Sequence, residues 1–155
     1  MGALKDQLKA DLVVAMKAKD DAAKSNLRMA LAALHTEEVA GDAARELSDA
    51  EEIGVVTKEV NKRKDSAEAY AAGGRPELAA KESSEADFLA RYLPAPLTEA
   101  EVQLLVDEEV AAAAAASGEK PTMKQMGAII KAVTARAEGR SDGRTISGMV
   151  RSALA

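Results

Sequence analysis

Two prolines two residues apart, Pro94 and Pro96 in "YLPAPLTEAE", place the firmest constraint on what this chain can become. Neither ring nitrogen can donate a helical hydrogen bond, and each ring drives its predecessor toward extended geometry. No helix can therefore run through this stretch. Immediately beyond it, Thr98 and Glu101 have capping-box spacing, in which a hydroxyl and a carboxylate each satisfy an orphan amide of a first helical turn. The break and the restart together predict an N-terminal domain over residues 1–95 and a C-terminal domain over residues 97–155.

Both parts read as helix. Leu4, Leu8, Leu12 and Met16 recur at four-residue steps, and Leu27, Leu31 and Leu34 mark a second helix expected to end near Gly41. A polar loop, "AGDAARELS", leads to Ser48 and Glu51, a second capping box. The helix it opens places Ile53, Val56 and Val60 on one face and stops at Gly73–Gly74. Pro76, at a first helical position, starts a fourth helix carrying Leu78, Phe88, Leu89 and Tyr92. After the prolines, a fifth helix holds Val102, Leu105, Val106 and the alanine run 111–116. A third box, Thr122 with Gln125, opens a sixth helix with Met126, Ile129, Ile130 and Val133 inward and a stop at Gly139. Ser141 or Asp142 caps a seventh, with Ile146, Met149, Val150 and Leu154 apolar. The expectation is an all-α fold: an elongated helical N-terminal domain followed by a small three-helix tail domain.

Composition supports this and narrows the chemistry. Phe88, Tyr70 and Tyr92 are the only rings among 155 residues, too few for a deep sheet sandwich, while alanine, leucine, lysine and glutamate lose little rotamer freedom in helices. With no cysteine there is no disulfide framework and no thiolate chemistry. No apolar run suggests a signal peptide or a membrane span, so a cytoplasmic location is expected. His35 is the one histidine and has no second imidazole or thiolate beside it, so it reads as a surface or boundary residue, and no metal or cofactor is expected. The glycines of "AAGGRPE" lack the lysine and hydroxyl of a phosphate-binding loop. Glu51/Glu52 and Glu108/Glu109 are sequence neighbours, whose side chains should diverge on a helix. No catalytic constellation emerges.

Charge is more informative. The net charge is −5, which argues against indiscriminate nucleic-acid binding. Residues 99–119 carry six acidic groups and no basic one, whereas residues 120–155 carry seven basic residues against Glu138 and Asp142. Lys124 and Lys131 are seven apart, as are Arg144 and Arg151, so each pair shares one side of its helix. Arg136 and Arg140 flank the turn between them, Arg140 beside a helix N-terminus whose free amides favour anions. A smaller basic cluster is Lys58, Lys62, Arg63 and Lys64. Each set reads either as a solvated surface or as a phosphate-contacting one.

The stretches "NKRKDSAEAYAAGGRPELAAKESSEADFLARYLPAPLTEAE", "MGAIIKAV" and "GRSDG" resemble the YqeY family of small bacterial proteins over almost the full length. Arg63 to Ser66, Gly74-Arg75, Tyr92-Leu93-Pro94 with Leu97, Met126-Gly127, and Gly139-Arg140 through Asp142-Gly143 carry the resemblance. That family is similar to the C-terminal part of the B subunit of the tRNA-dependent amidotransferase, a carbon–nitrogen ligase that uses glutamine as amide donor. The resemblance implies a non-catalytic accessory protein that binds tRNA, or joins an aminoacyl-tRNA-handling complex, through the tail domain. The amidotransferase's catalytic regions have no counterpart here. The alternative is a helical protein-interaction module with no nucleic-acid ligand.

Overall fold

A computed structural model describes residues 2–155. Among them the chain forms seven α-helices and no strand: α1 (Ala3–Ala18), α2 (Asp21–Glu38), α3 (Asp49–Ala72), α4 (Pro76–Ala90), α5 (Glu99–Ser117), α6 (Met126–Ala137) and α7 (Gly143–Leu154). The chain divides into two compact units, residues 1–94 and 95–155.

In the first unit, α1 and α2 form a hairpin closed by Lys19, which sits in the left-handed region at φ 57°. Asp20 N–H donates to the Ala15 carbonyl and Lys19 N–H to Met16, satisfying the last carbonyls of α1 by the Schellman pattern. Asp20 then caps α2, its carboxylate accepting the Ala23 amide at 3.0 Å. A second hairpin joins α3 to α4 through Gly74, also left-handed at φ 74°. Leu8, Leu27, Leu34, Leu47, Val56 and Leu89 form the core between these helices.

The N-terminus of α1 is capped from another helix. Asp49 and Glu52, in the first turn of α3, accept the Ala3 amide at 3.2 Å and the Lys5 amide at 3.0 Å. Glu52 is buried, and a Cβ on Gly2 would meet its Oε1 at 1.6 Å, so a side chain at position 2 would have to displace this carboxylate. Lys5 is ion-paired with Glu38 at the end of α2, and this contact lowers the Glu38 carboxyl pKa. The Tyr92 hydroxyl donates to Asp11 Oδ2 at 2.6 Å; burial and this acceptor push the phenol up to about 12.

In the second unit α5, α6 and α7 pack on one another around Val102, Val106, Ile129, Val133, Ile146 and Val150. The box at Thr98 and Glu101 caps α5, and Gly118 ends it at φ 75°. The extended segment ahead of α5 is tied down at both ends of one residue: Leu97 N–H donates to the Arg140 carbonyl, and Arg140 Nε donates to the Ala95 carbonyl, both at 2.8 Å.

Several expectations need correction. Met16 is half exposed, and Ala15 is buried in its place, because each four-residue step advances 40° around a helix and three steps carry the side chain off the core face. α2 stops at Glu38, before Gly41. The Thr122–Gln125 box opens a single 3₁₀ turn, Met123–Gln125, which leads into α6. α6 closes on Glu138 and Gly139, both left-handed at φ 51° and 77°. Of the two caps expected for α7, Ser141 and Asp142, it is Asp142 that serves: its Oδ1 accepts the Thr145 amide at 2.6 Å.

Candidate nucleic-acid interface

The basic residues of the second unit separate into two groups by what holds them. Arg136, on the flank of α6, is bound by α5: its Nη2 meets Glu108 at 2.5 Å and its Nη1 meets Glu109 at 3.1 Å. These two carboxylates do not diverge, as their adjacency suggested, because the two arms of one planar guanidinium reach them separately. Their hydrogen bonds raise the Arg136 pKa, and its charge is locally cancelled. Arg140 spends its Nε on the Ala95 carbonyl, so it positions the segment before α5. The helix N-terminus beside it already has an anion, the capping carboxylate of Asp142.

The remaining five are exposed and make no ion pair among the described residues: Lys120, Lys124, Lys131, Arg144 and Arg151. On α7 the buried positions are Ile146, Val150 and Leu154. At 100° per residue, Arg144 and Arg151 lie about 20° apart and on the opposite side from Ile146. Lys131 stands opposite Ile129 and Val133 on α6 in the same way. The sharp division of α7 into an apolar side and an arginine side follows directly from the Ile146, Val150, Leu154 spacing.

Glycine adds a second feature. Gly148 sits inside α7 and Gly127 in the first turn of α6, and a Cβ at either would meet nothing within 4 Å. The packing of the unit does not require them, although glycine in a helix interior costs about 1 kcal/mol relative to alanine. Gly148 lies about 40° around the helix from Arg144 and about 60° from Arg151, so the solvent side of α7 beside the arginines is low in relief.

In the first unit, Lys58, Lys62 and Lys64 are exposed on α3, but Arg63 is not part of their surface. It is 6% exposed; Nη1 donates to Glu59 Oε2 at 2.7 Å and to the Glu59 carbonyl at 2.9 Å, and Nε lies 3.6 Å from Glu85 of α4. A 100° turn separates Arg63 from each lysine beside it, which is enough to carry it into the α3–α4 seam. His35 is exposed, with Nδ1 3.6 Å from Glu38. No cluster of three or more His, Cys, Asp or Glu that could hold a metal gathers among the described residues, and no helix in them is long and apolar enough to cross a membrane.

The model of a family described as Yqey-like protein matches residues 5–154. Curated relatives are fungal proteins named altered inheritance of mitochondria protein 41, mitochondrial. That of Saccharomyces cerevisiae (strain YJM789) is 38% identical over 88 residues, covering 56% of this chain and 46% of the relative. That of Vanderwaltozyma polyspora is 35% identical over 86 residues, with the same coverages, 56% and 46%. That of Clavispora lusitaniae is 35% identical over 92 residues, covering 59% of this chain and 52% of the relative. The chain thus spans about half the length of the curated relatives it matches.

Proposed function

The chain belongs to the Yqey-like family, and from that premise we propose that it is a non-catalytic accessory protein that binds tRNA or aminoacyl-tRNA through its C-terminal unit. The observation that carries this reading is the solvent side of α7, where Arg144 and Arg151 stand seven residues apart with no carboxylate paired to either. Lys131 and Lys124 extend the same set of free cations along α6 and the turn before it. Arginine and lysine in this arrangement contact phosphates, which position a nucleic acid without reading its sequence. A surface with no ring suits recognition of an RNA helix by backbone shape and 2′-hydroxyls better than stacking on splayed bases. Gly148 supports the same reading, since a side chain there, beside the arginines, would hinder the close approach of a phosphate backbone.

Kinship with the tail of the amidotransferase B subunit suggests tRNA as the RNA. Such a role places the protein where charged tRNAs are used, which in a bacterial cell is the cytoplasm. Four phosphate contacts give a salt dependence with a log–log slope of about −3, or about a 60-fold loss of affinity between 50 and 200 mM salt. Filter binding of the full chain to bulk tRNA across that range tests it. Undetectable binding at low salt, or a slope near zero, would reject the function.

A further inference from the structure

The first unit carries a groove that its own packing leaves incomplete. Two adjoining clefts, of about 400 and 520 Å³, share Asp20, Ala23, Phe88 and Arg91, and so form one groove across the first turns of α2 and the last turns of α4. Asn26 lines it from α2. Only 6% of this residue is exposed, its Oδ1 is buried without a hydrogen-bond partner, and no described residue bonds its amide nitrogen. Buried carboxamides in folded proteins are paired; Oδ1 is closed off from the groove, so the unbonded amide nitrogen is the group an occupant can reach. On the α1 side, Val14 borders the groove while 64% exposed.

The occupant follows from the chemistry of the lining. Of the Asn26 carboxamide only the N–H edge is open to an occupant, and this donor matches a peptide main-chain carbonyl. The Phe88 ring and Val14 offer apolar contact. Asp11, Asp20 and Asp87 set three carboxylates against one cation, Arg91, which lies over the Phe88 ring at 4.6 Å. That excess of negative charge attracts a basic side chain and repels phosphate. We propose that the groove docks an extended basic segment of a partner protein: one of its main-chain carbonyls accepts from the Asn26 amide N–H, an apolar side chain rests on Phe88, and an adjacent lysine or arginine lies between Asp20 and Asp87. This site is separate from the arginine side of α7, and neither depends on the other.

The test is a titration of the ¹⁵N-labelled full chain with three probes: the capped tripeptide acetyl-Leu-Lys-Leu-amide, its Leu-Glu-Leu counterpart, and AMP. The lysine peptide should shift the Asn26 side-chain amide signals and the Ala23 and Asp87 backbone signals saturably. The glutamate peptide should bind at least tenfold more weakly, and AMP should leave those signals in place. Asn26→Leu, which removes an unpaired polar group at similar volume, should leave the melting temperature equal or higher while weakening the lysine peptide at least tenfold. Asp87→Lys, an exposed position, should weaken it at least threefold. The proposal is overturned by absence of a saturable shift, by equal binding of the glutamate peptide, or by AMP shifting the same signals. It is equally overturned if Asn26→Leu binds as the parent does, or loses stability and so shows that the fold itself uses the amide.

Discussion

Arg63→Ala separates a structural cation from a binding one. The side chain is 6% exposed, and the carboxylates it meets, Glu59 and Glu85, have side chains 20% and 16% exposed. Truncating it leaves two largely buried carboxylates facing each other across the α3–α4 seam without a cation. Breaking a buried ion pair on one side costs about 3–5 kcal/mol, and the partial hydration of the two acids places the expectation near the lower figure, about 3 kcal/mol. A unit the size of residues 1–94 has a stability of about 5–14 kcal/mol, so the loss is a large fraction of the whole. The corresponding fall in melting temperature is about 12–24 °C. The assay is selective because Tyr70, Phe88 and Tyr92 all lie in this unit: near-ultraviolet circular dichroism follows it alone, while the far-ultraviolet signal follows both. Replacing the whole cluster, with Arg63→Met, Glu59→Gln and Glu85→Gln together, should recover at least half the loss. Below its own transition Arg63→Ala should bind tRNA like the parent. A shift under about 3 °C, accompanied by weaker tRNA binding, would refute the reasoning and return Arg63 to the surface cluster.

Two further predictions concern local chemistry. Arg45, followed by the Ser48 amide, holds the Glu51 carboxyl down to about 2 from its ordinary 4.5. A depressed folded-state pKa contributes stability that is complete above pH 4.5 and is lost as pH falls through about 2. The melting temperatures of the parent and Glu51→Gln should therefore differ at pH 6 and converge toward pH 2; a constant gap would contradict this. Gly148→Ala should raise the stability of the second unit by about 0.5–1 kcal/mol, because its Cβ meets open space. The same variant should weaken tRNA binding if a phosphate backbone approaches there, and unchanged binding would remove the glycine from the interface.

What was legible in the chain was what local chemistry decides. Pro94 and Pro96 fall in the break between α4 and α5, and Ser48/Glu51 and Thr98/Glu101 make the capping boxes their spacing predicts, since each involves groups within one turn. Gly74 closes its hairpin for the same reason. What was not legible depends on neighbours distant in sequence. Nothing around Arg63 distinguishes it from Lys62 or Lys64 until α4 supplies Glu85. Arg136 looks as free as Arg144 until α5 brings Glu108 and Glu109 to it, 28 and 27 residues away. Leu47 lies in a polar loop yet is 1% exposed, its one signal being a lone leucine directly before a helix cap. The groove at Asn26 had no sequence signal at all, because an asparagine inside a helix is ordinary until its burial without a partner is seen.

The central claim is that RNA is held by free cations of the second unit. Its most direct test compares Arg144→Ala/Arg151→Ala with Lys58→Ala/Lys62→Ala, which remove the same charge from exposed sites on different units. In tRNA filter binding at 50 mM salt, the first pair should lose at least tenfold in affinity and roughly half the salt slope, from about −3 to about −1.5. The second should lose no more than about threefold and keep its slope. Equal losses from both pairs, or a larger loss from the lysines, would contradict the account.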